Sequence, residues 1–291
     1  MPARPAPVAW TAAARALAEA WPGVVAGEAP AVHRARVATR RLREALAVLA
    51  PERRSVRRLR RDLRDVTRAL GPVRELDVTL GLIVRLLHDE PDLEHALETM
   101  RVRLMEKRLR RRTRLMRVTD EVVVAGLLAR VRALDLEPGC GAGHRPPLDR
   151  DGVRRRIGDR ADDAARAIAR AGALYAPDPL HEVRIALKKL RYALELGRAA
   201  RIPHTARQAA ALRRFQDLLG EWHDWQVLAA HASRVQSAIP IEDEALEEFT
   251  MLATRVEDRC RALHAEFIAR RDDLTASVAD IAARAGIHRQ P

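Results

Sequence analysis

Residues 32–46 read Val32-His33-Arg34-Ala35-Arg36-Val37-Ala38-Thr39-Arg40-Arg41-Leu42-Arg43-Glu44-Ala45-Leu46. Apolar side chains recur at intervals of three and four, the spacing of one face of an α-helix. On a wheel at about 100° per residue, Leu42, Leu46 and Leu49 share one side, with Ala38 and Ala45 beside them. His33, Arg36, Arg40 and Arg43 occupy the other side, and Arg41 lies on its flank. The segment therefore predicts a helix with a core face and a histidine-led arginine row, about 15 Å long at 1.5 Å rise per residue.

The chain contains this segment twice. Leu180-His181-Glu182-Val183-Arg184-Ile185-Ala186-Leu187-Lys188-Lys189-Leu190-Arg191-Tyr192-Ala193-Leu194 matches it at an offset of 148. His181, Arg184 and Arg191 repeat His33, Arg36 and Arg43, and Lys188-Lys189 replaces Arg40-Arg41. A second landmark follows each copy. Leu70-Gly71-Pro72-Val73-Arg74-Glu75 aligns with Leu219-Gly220-Glu221-Trp222-His223-Asp224 at an offset of 149. Two landmarks in the same order predict duplicated halves, namely two helical bundles related by a pseudo-two-fold axis.

The remaining sequence is rich in Ala, Leu, Arg and Glu and is punctuated by Gly and Pro. It predicts helices over about 8–20, 31–50, 52–70, 72–88, 91–117 with a broken extension to 134, 150–172, 178–199, 204–219, 221–236, 241–270 and 272–286. Pro22-Gly23, Pro51 and Gly71-Pro72 are read as stops. No segment alternates as a strand does, so the fold class is all-α. The Gly- and Pro-rich stretch 137–149 is the one clear linker. It divides a lead-in (1–30) and first bundle (31–136) from a second bundle (150–291).

Charge is concentrated where the repeats lie. The 291 residues carry a formal net charge of +13. Residues 33–117 hold 24 basic against 12 acidic side chains, residues 180–234 hold ten against five, and residues 235–291 hold seven against eleven. Clustered positive potential attracts polyanions. Like charges at i, i+3 and i+4 also weaken a helix by a few tenths of a kcal/mol per pair. Two such rows therefore point to an anion that neutralises them, although Glu44, Asp62, Asp65 and Glu75 could screen the first locally.

The following helix adds Arg54, Arg57, Arg61, Arg64 and Arg68 opposite its Leu59, Leu63, Val66 and Leu70 stripe. In the second half only part of the helix's basic character survives: Arg207 and Arg213 align with Arg58 and Arg64, and Asp217 replaces Arg68. The first half is expected to bind anions more strongly. His33 and His181 open the two rows and are expected to face phosphate. Neither has the spacing of a metal ligand set. No catalytic residue, metal or cofactor is expected.

Cys140 and Cys260 sit in no metal or disulfide pattern. No apolar run approaches the roughly 18 residues of a membrane span, and the first 21 residues lack a signal-peptide apolar stretch. A cytoplasmic protein is expected.

The paired motifs VHRARVATRRLREAL and LHEVRIALKKLRYALEL, with LGPVRELDV and LGEWHDW after them, resemble the CHAD (conserved histidine alpha-helical domain) family over roughly residues 30–270. The resemblance implies two four-helix bundles around a basic central groove. It also implies binding of inorganic polyphosphate, with association to polyphosphate granules in some members. Carried over by position, the binding residues are His33, Arg36, Arg40, Arg41 and Arg43 with His181, Arg184, Lys188, Lys189 and Arg191. Some relatives carry a fused triphosphate-hydrolysing domain, whose E-x-E-x-K motif does not occur in the sequence.

Two other functions share part of this logic. Nucleic acid would answer the same charge, but aromatics are only 3% of residues, and stacking platforms for bases are correspondingly scarce. A phosphoanhydride hydrolase would need carboxylates to hold metal, for which Glu75, Asp77 and Asp224 are the candidates. These acids are better read as orienting arginines.

Overall fold

A computed structural model describes residues 9–49, 53–134, 149–238 and 245–286. It comprises α1 (Ala9–Ala26), α2 (Ala29–Leu49), α3 (Arg54–Asp89), a 3-10 turn (Pro91–Leu93), α4 (Glu94–Val118), α5 (Glu121–Ala133), α6 (Arg150–Arg170), α7 (Pro177–Ala199), α8 (Thr205–Ala211), α9 (Arg213–Gln236), α10 (Ala245–Ala269) and α11 (Arg271–Arg284). No strand occurs among the described residues. Pro51, linker residues 137–148 and the acidic Glu242-Asp243-Glu244 lie outside them.

Three predicted breaks are helical in the structure. α1 runs through Pro22 to Ala26. A proline inside a helix forfeits one backbone hydrogen bond, but Trp21 and Val24 on either side are buried in the core, and their packing holds the turn. The helix ends at Gly27 instead (φ +88°), where Glu28 N donates to Gly23 O at 2.8 Å and Gly27 N to Val24 O at 3.1 Å. This pairing closes a helix C-terminus around a left-handed glycine.

α3 likewise runs through Gly71-Pro72 as a single helix of 36 residues, about 54 Å long at 1.5 Å per residue. Leu70 and Val73 flank the proline and are buried. Arg36 Nη1 donates to the Thr67 carbonyl at 2.8 Å in the turn before it. A Cβ at Gly71 would come within 3.3 Å of the same Nη1, so the glycine permits this close approach. In the second half the helix passes through Gly220, and the interruption falls at Leu212, between α8 and α9. Hydrogen bonds from Leu212 N to Gln208 O and from Gln216 N to Leu212 O span that joint.

Helix pairing follows the same order in each half of the chain. α1 packs on α2, α2 on α3, α3 on α4, and α5 returns to α1 and α3. α6 packs on α7, α7 on α8 and α9, α9 on α10, and α11 returns to α6 and α8. The halves meet through α2 with α7, α3 with α9, and α4 with α9 and α10. Burial of the apolar stripes drives these contacts at about 25 cal/mol per Å². Trp10, Trp222, Phe215, Phe249 and Phe267 are among the largest fully buried side chains.

The acidic start of α10 has a role within the chain. Glu248 accepts hydrogen bonds from Ala96 N at 2.9 Å and pairs with His95 Nδ1 at 2.7 Å, at the N-terminus of α4. A carboxylate there satisfies open backbone donors and meets the positive end of the helix dipole. Arg255 of α10 pairs with Glu90 and Asp92 beside the same end.

Candidate polyanion-binding site

The two repeated helices lie against each other with their basic rows in one cluster. Each helix turns its leucines inward, since Leu42, Leu46, Leu187, Leu190 and Leu194 are all fully buried. The polar faces are thereby directed to the α2–α7 junction. His33, Arg36 and Arg40 of α2 meet His181, Arg184, Lys188 and Arg191 of α7 there. The second landmark also reaches the cluster, because α3 contributes Arg74 and α9 contributes His223 and Asp224.

The crowding shows in the acid–base properties. Burial, reinforced by Arg184 and Arg40, lowers the Lys188 ammonium to about 7, with Asp224 opposing. Burial lowers Arg184 to about 10, opposed by Asp224 and reinforced by Arg40 and Arg36. Burial and the charge of Arg184 take His223 down to about 3. Its ring lies 5.1 Å from that of His181. His33 and His181 are both lowered, first by burial and then chiefly by Arg74 and Arg184 respectively. Asp224 is raised by burial in spite of the cations around it. Arg184 Nε and Arg191 Nε are buried donors with no hydrogen-bond partner among the described residues. Unmet donors of this kind are costly and call for an acceptor.

Beside this junction lies an open cavity of about 440 Å³ between α2, α3, α6 and α7. Among the described residues, nine cations line it, Arg40, Arg43, Arg57, Arg60, Arg61, Arg64, Arg156, Arg160 and Lys189, and Glu44 is the one carboxylate. It accepts from Arg156 Nε at 2.6 Å and Nη2 at 3.2 Å, and from Arg160 Nε at 3.4 Å. Burial works against its charge, but the hydrogen bonds from Arg156 and the nearby Arg160 hold its carboxyl below the usual range. Arg40 joins the two regions, with its guanidinium 5.6 Å from the centre of the Tyr192 ring. Arg191 stacks over the same ring at 5.1 Å.

Most of the predicted residues thus fall into one of two adjoining basic regions. Arg43, Arg57, Arg61, Arg64 and Lys189 line the cavity, and the rest of the two rows meets at the junction. Arg41 is instead engaged by Glu195 at 2.8 Å. Arg68 is exposed, 3.9 Å from Asp65. Arg207 and Arg213 are exposed and line neither region. Arg60, Arg74, Arg156, Arg160 and His223 were not singled out by sequence reasoning. Arg74 and His223 occupy matching places in the second landmark, so the repeat carried their signal. Arg156 and Arg160 lie in no repeated motif.

Of the three candidate carboxylates, Asp224 lies in the junction cluster and the other two have partners beside it. Asp77 pairs with Arg108 at 2.5 Å, and that arginine also donates to the Gly27 carbonyl at 2.7 Å. Glu75 lies 3.6 Å from His231 Nε2. Among the described residues, no group of three or more His, Cys, Asp or Glu side chains is placed to hold a metal ion. No helix among them is long and apolar enough to cross a membrane.

The sequence profile of the CHAD domain matches residues 8–233. Two solved structures are similar in fold. The crystal structure of the CHAD domain from the plant Ricinus communis superposes with a TM-score of 0.62 at 18% identity, covering 97% of this chain and 91% of that one. PptA from Streptomyces chartreusis superposes with a TM-score of 0.67 at 18% identity, covering 90% of this chain and 95% of that one. No curated protein matches the chain in sequence.

Proposed function

This chain belongs to the CHAD family, and from that membership we propose that it binds inorganic polyphosphate without hydrolysing it. The ligand runs along the α2–α7 junction and into the adjoining cavity, between duplicated halves related by a pseudo-two-fold axis. The observation that carries this reading is the convergence of two matched basic rows on one cluster, in which Asp224 opposes the charge of Arg184 and Lys188 and Glu75 that of Arg36 and His223. Arg and Lys donate charge-assisted hydrogen bonds to phosphate oxygens. Arg184 Nε and Arg191 Nε, which make no hydrogen bond among the described residues, supply further donors. A phosphate chain repays the mutual repulsion of the cations and gains counterion release. His33 and His181 serve as hydrogen-bonding imidazoles at the ends of the rows. The protein acts in the cytoplasm and is drawn to polyphosphate granules by the same contacts.

Polyphosphate is favoured over nucleic acid by the placement of the aromatics. Trp10, Trp21, Trp222, Phe215, Phe249 and Phe267 are core residues. Tyr192 is buried beneath Arg40 and Arg191. Among the described residues, Tyr192 is the one aromatic lining the cavity, and the two guanidiniums cover it, which favours phosphate contacts over base stacking. A competition experiment tests the choice. Long-chain polyphosphate should displace labelled single-stranded DNA at equal phosphate concentration, and DNA should fail to displace polyphosphate. The reverse order of strength would favour a nucleic-acid binder.

A further inference from the structure

A second cavity, of about 360 Å³, lies between α9, α10 and the segment that enters α7. Its chemistry is the reverse of the arginine-lined one. Phe249 and Val256 are buried and give it an apolar floor, and Ala229 and Ala253 give it apolar walls. Among the described residues no Lys, Arg or His lines it, and Glu257 is the one charged group in its lining. In a chain with 53 Lys+Arg, a cavity whose only charge is negative stands out. Neighbouring arginines of α10 are held by other carboxylates: Arg255 pairs with Glu90 and Asp92, and Arg259 with Glu221 at 2.5 Å. Arg261 pairs with Glu257 through Oε1 at 2.5 Å, which leaves the second carboxylate oxygen able to accept from a ligand. One wall is fixed in advance. Gln226 Nε2 donates to the Tyr175 hydroxyl at 2.6 Å, and the Tyr175 ring packs edge-on against His264 with centroids 5.3 Å apart.

We propose that this cavity binds a small aromatic amine, its ring between α9 and α10 and its ammonium group on Glu257. The volume sits at the lower end of the roughly 300–1,000 Å³ usual for small-molecule sites, which suits a molecule of one or two rings. Apolar walls favour the removal of an aromatic body from water. A lone carboxylate at an exposed position, beside the rings of Tyr175 and Phe249, favours a cation and repels an anion. Phosphate ligands are turned away by the same charge. The site is therefore separate from the α2–α7 junction, and the proposal stands independently of polyphosphate binding there. A ligand that binds the folded chain alone also raises its stability.

The test is calorimetric titration of the full chain with tryptamine, and with the uncharged 3-methylindole as control. Tryptamine should bind at least about threefold more tightly than 3-methylindole, the scale of one exposed ion pair. Glu257→Gln keeps the shape of the side chain and should abolish that preference while leaving the affinity for 3-methylindole unchanged. Ala253→Leu fills the cavity from an exposed position and should weaken both compounds. Absence of tryptamine binding by the parent overturns the proposal. Undiminished binding by a folded Ala253→Leu chain places the amine elsewhere and overturns it too. Equal affinities for the two compounds in the parent, or a preference that survives in Glu257→Gln, overturn the ammonium contact. Should circular dichroism show that Ala253→Leu is unfolded, the Glu257→Gln comparison decides.

Discussion

Arg41 of α2 and Glu195 of α7 pair at 2.8 Å, 154 residues apart in the chain. Glu195 also stands 3.9 Å from Arg191. The pair crosses the junction between the two basic rows and withdraws Arg41 from the cations available to a ligand. Replacing the carboxylate, as in Glu195→Gln, should free Arg41 and raise the local positive potential. We expect polyphosphate affinity to rise about threefold at low salt and the gain to fade at high salt. Stability should change by less than about 1 kcal/mol, since a pair this exposed is well screened. Titrations at two ionic strengths and a thermal melt check both statements. Weaker binding would mean that the pair is needed to seat α2 on α7.

Glu44 is the opposite case, a buried acid that organises cations. It holds Arg156 and Arg160 of α6 from the wall of the cavity. Glu44→Ala should cost about 1–3 kcal/mol, because the half-buried Arg156 loses its carboxylate partner, whereas Arg160 keeps Asp163 at 3.1 Å. The acid limb should follow the same group. Its folded-state pKa is depressed, so its stabilisation is complete above the ordinary carboxylate range and is lost as pH falls through the lower folded value. Urea unfolding from pH 6 down to pH 3 should show a smaller loss of stability in the variant than in the parent.

Lys188 should give binding and stability opposite dependences on pH. In the free protein its pKa is about 7. A bound polyanion favours the ammonium and raises that value. Affinity is therefore greatest below about 7 and falls as pH rises above it, and binding near pH 8 takes up protons. Calorimetry in buffers of different ionisation enthalpy measures that uptake. Stability of the free protein runs the other way. The unfolded state binds the extra proton between about 7 and the ordinary value of 10.5, so this group's contribution rises with pH across that window. Lys188→Arg should retain binding and flatten the dependence of affinity on pH.

The repeated helices were legible in the sequence because one period dictated both their buried leucines and their exposed rows. Local breakers misled where burial outweighed them. Leu70 and Val73 around Pro72, and Leu219 and Trp222 around Gly220, are core residues that carry the helix across. The α2 and α7 contacts could be read from the repeat, and so could the places of Arg74 and His223. Arg156 and Arg160 could not, since they reach the cavity through a tertiary contact with Glu44 that no local pattern records. Arg207 shows the limit of equivalence. It aligns with Arg58 by position, yet it is exposed on α8, and its charge acts on Asp280 of α11.

The central claim is that the two rows form one polyphosphate site. Its most direct test is calorimetric titration with polyphosphates of several lengths at two salt concentrations, on the parent and on the double variant Arg40→Ala with Lys188→Ala. The parent should bind tightly, with affinity falling steeply as salt increases. The variant should remain helical by circular dichroism and lose at least about tenfold in affinity, as expected when two charge-assisted contacts are removed. Absence of binding by the parent, or equal binding by a folded variant, would contradict the claim.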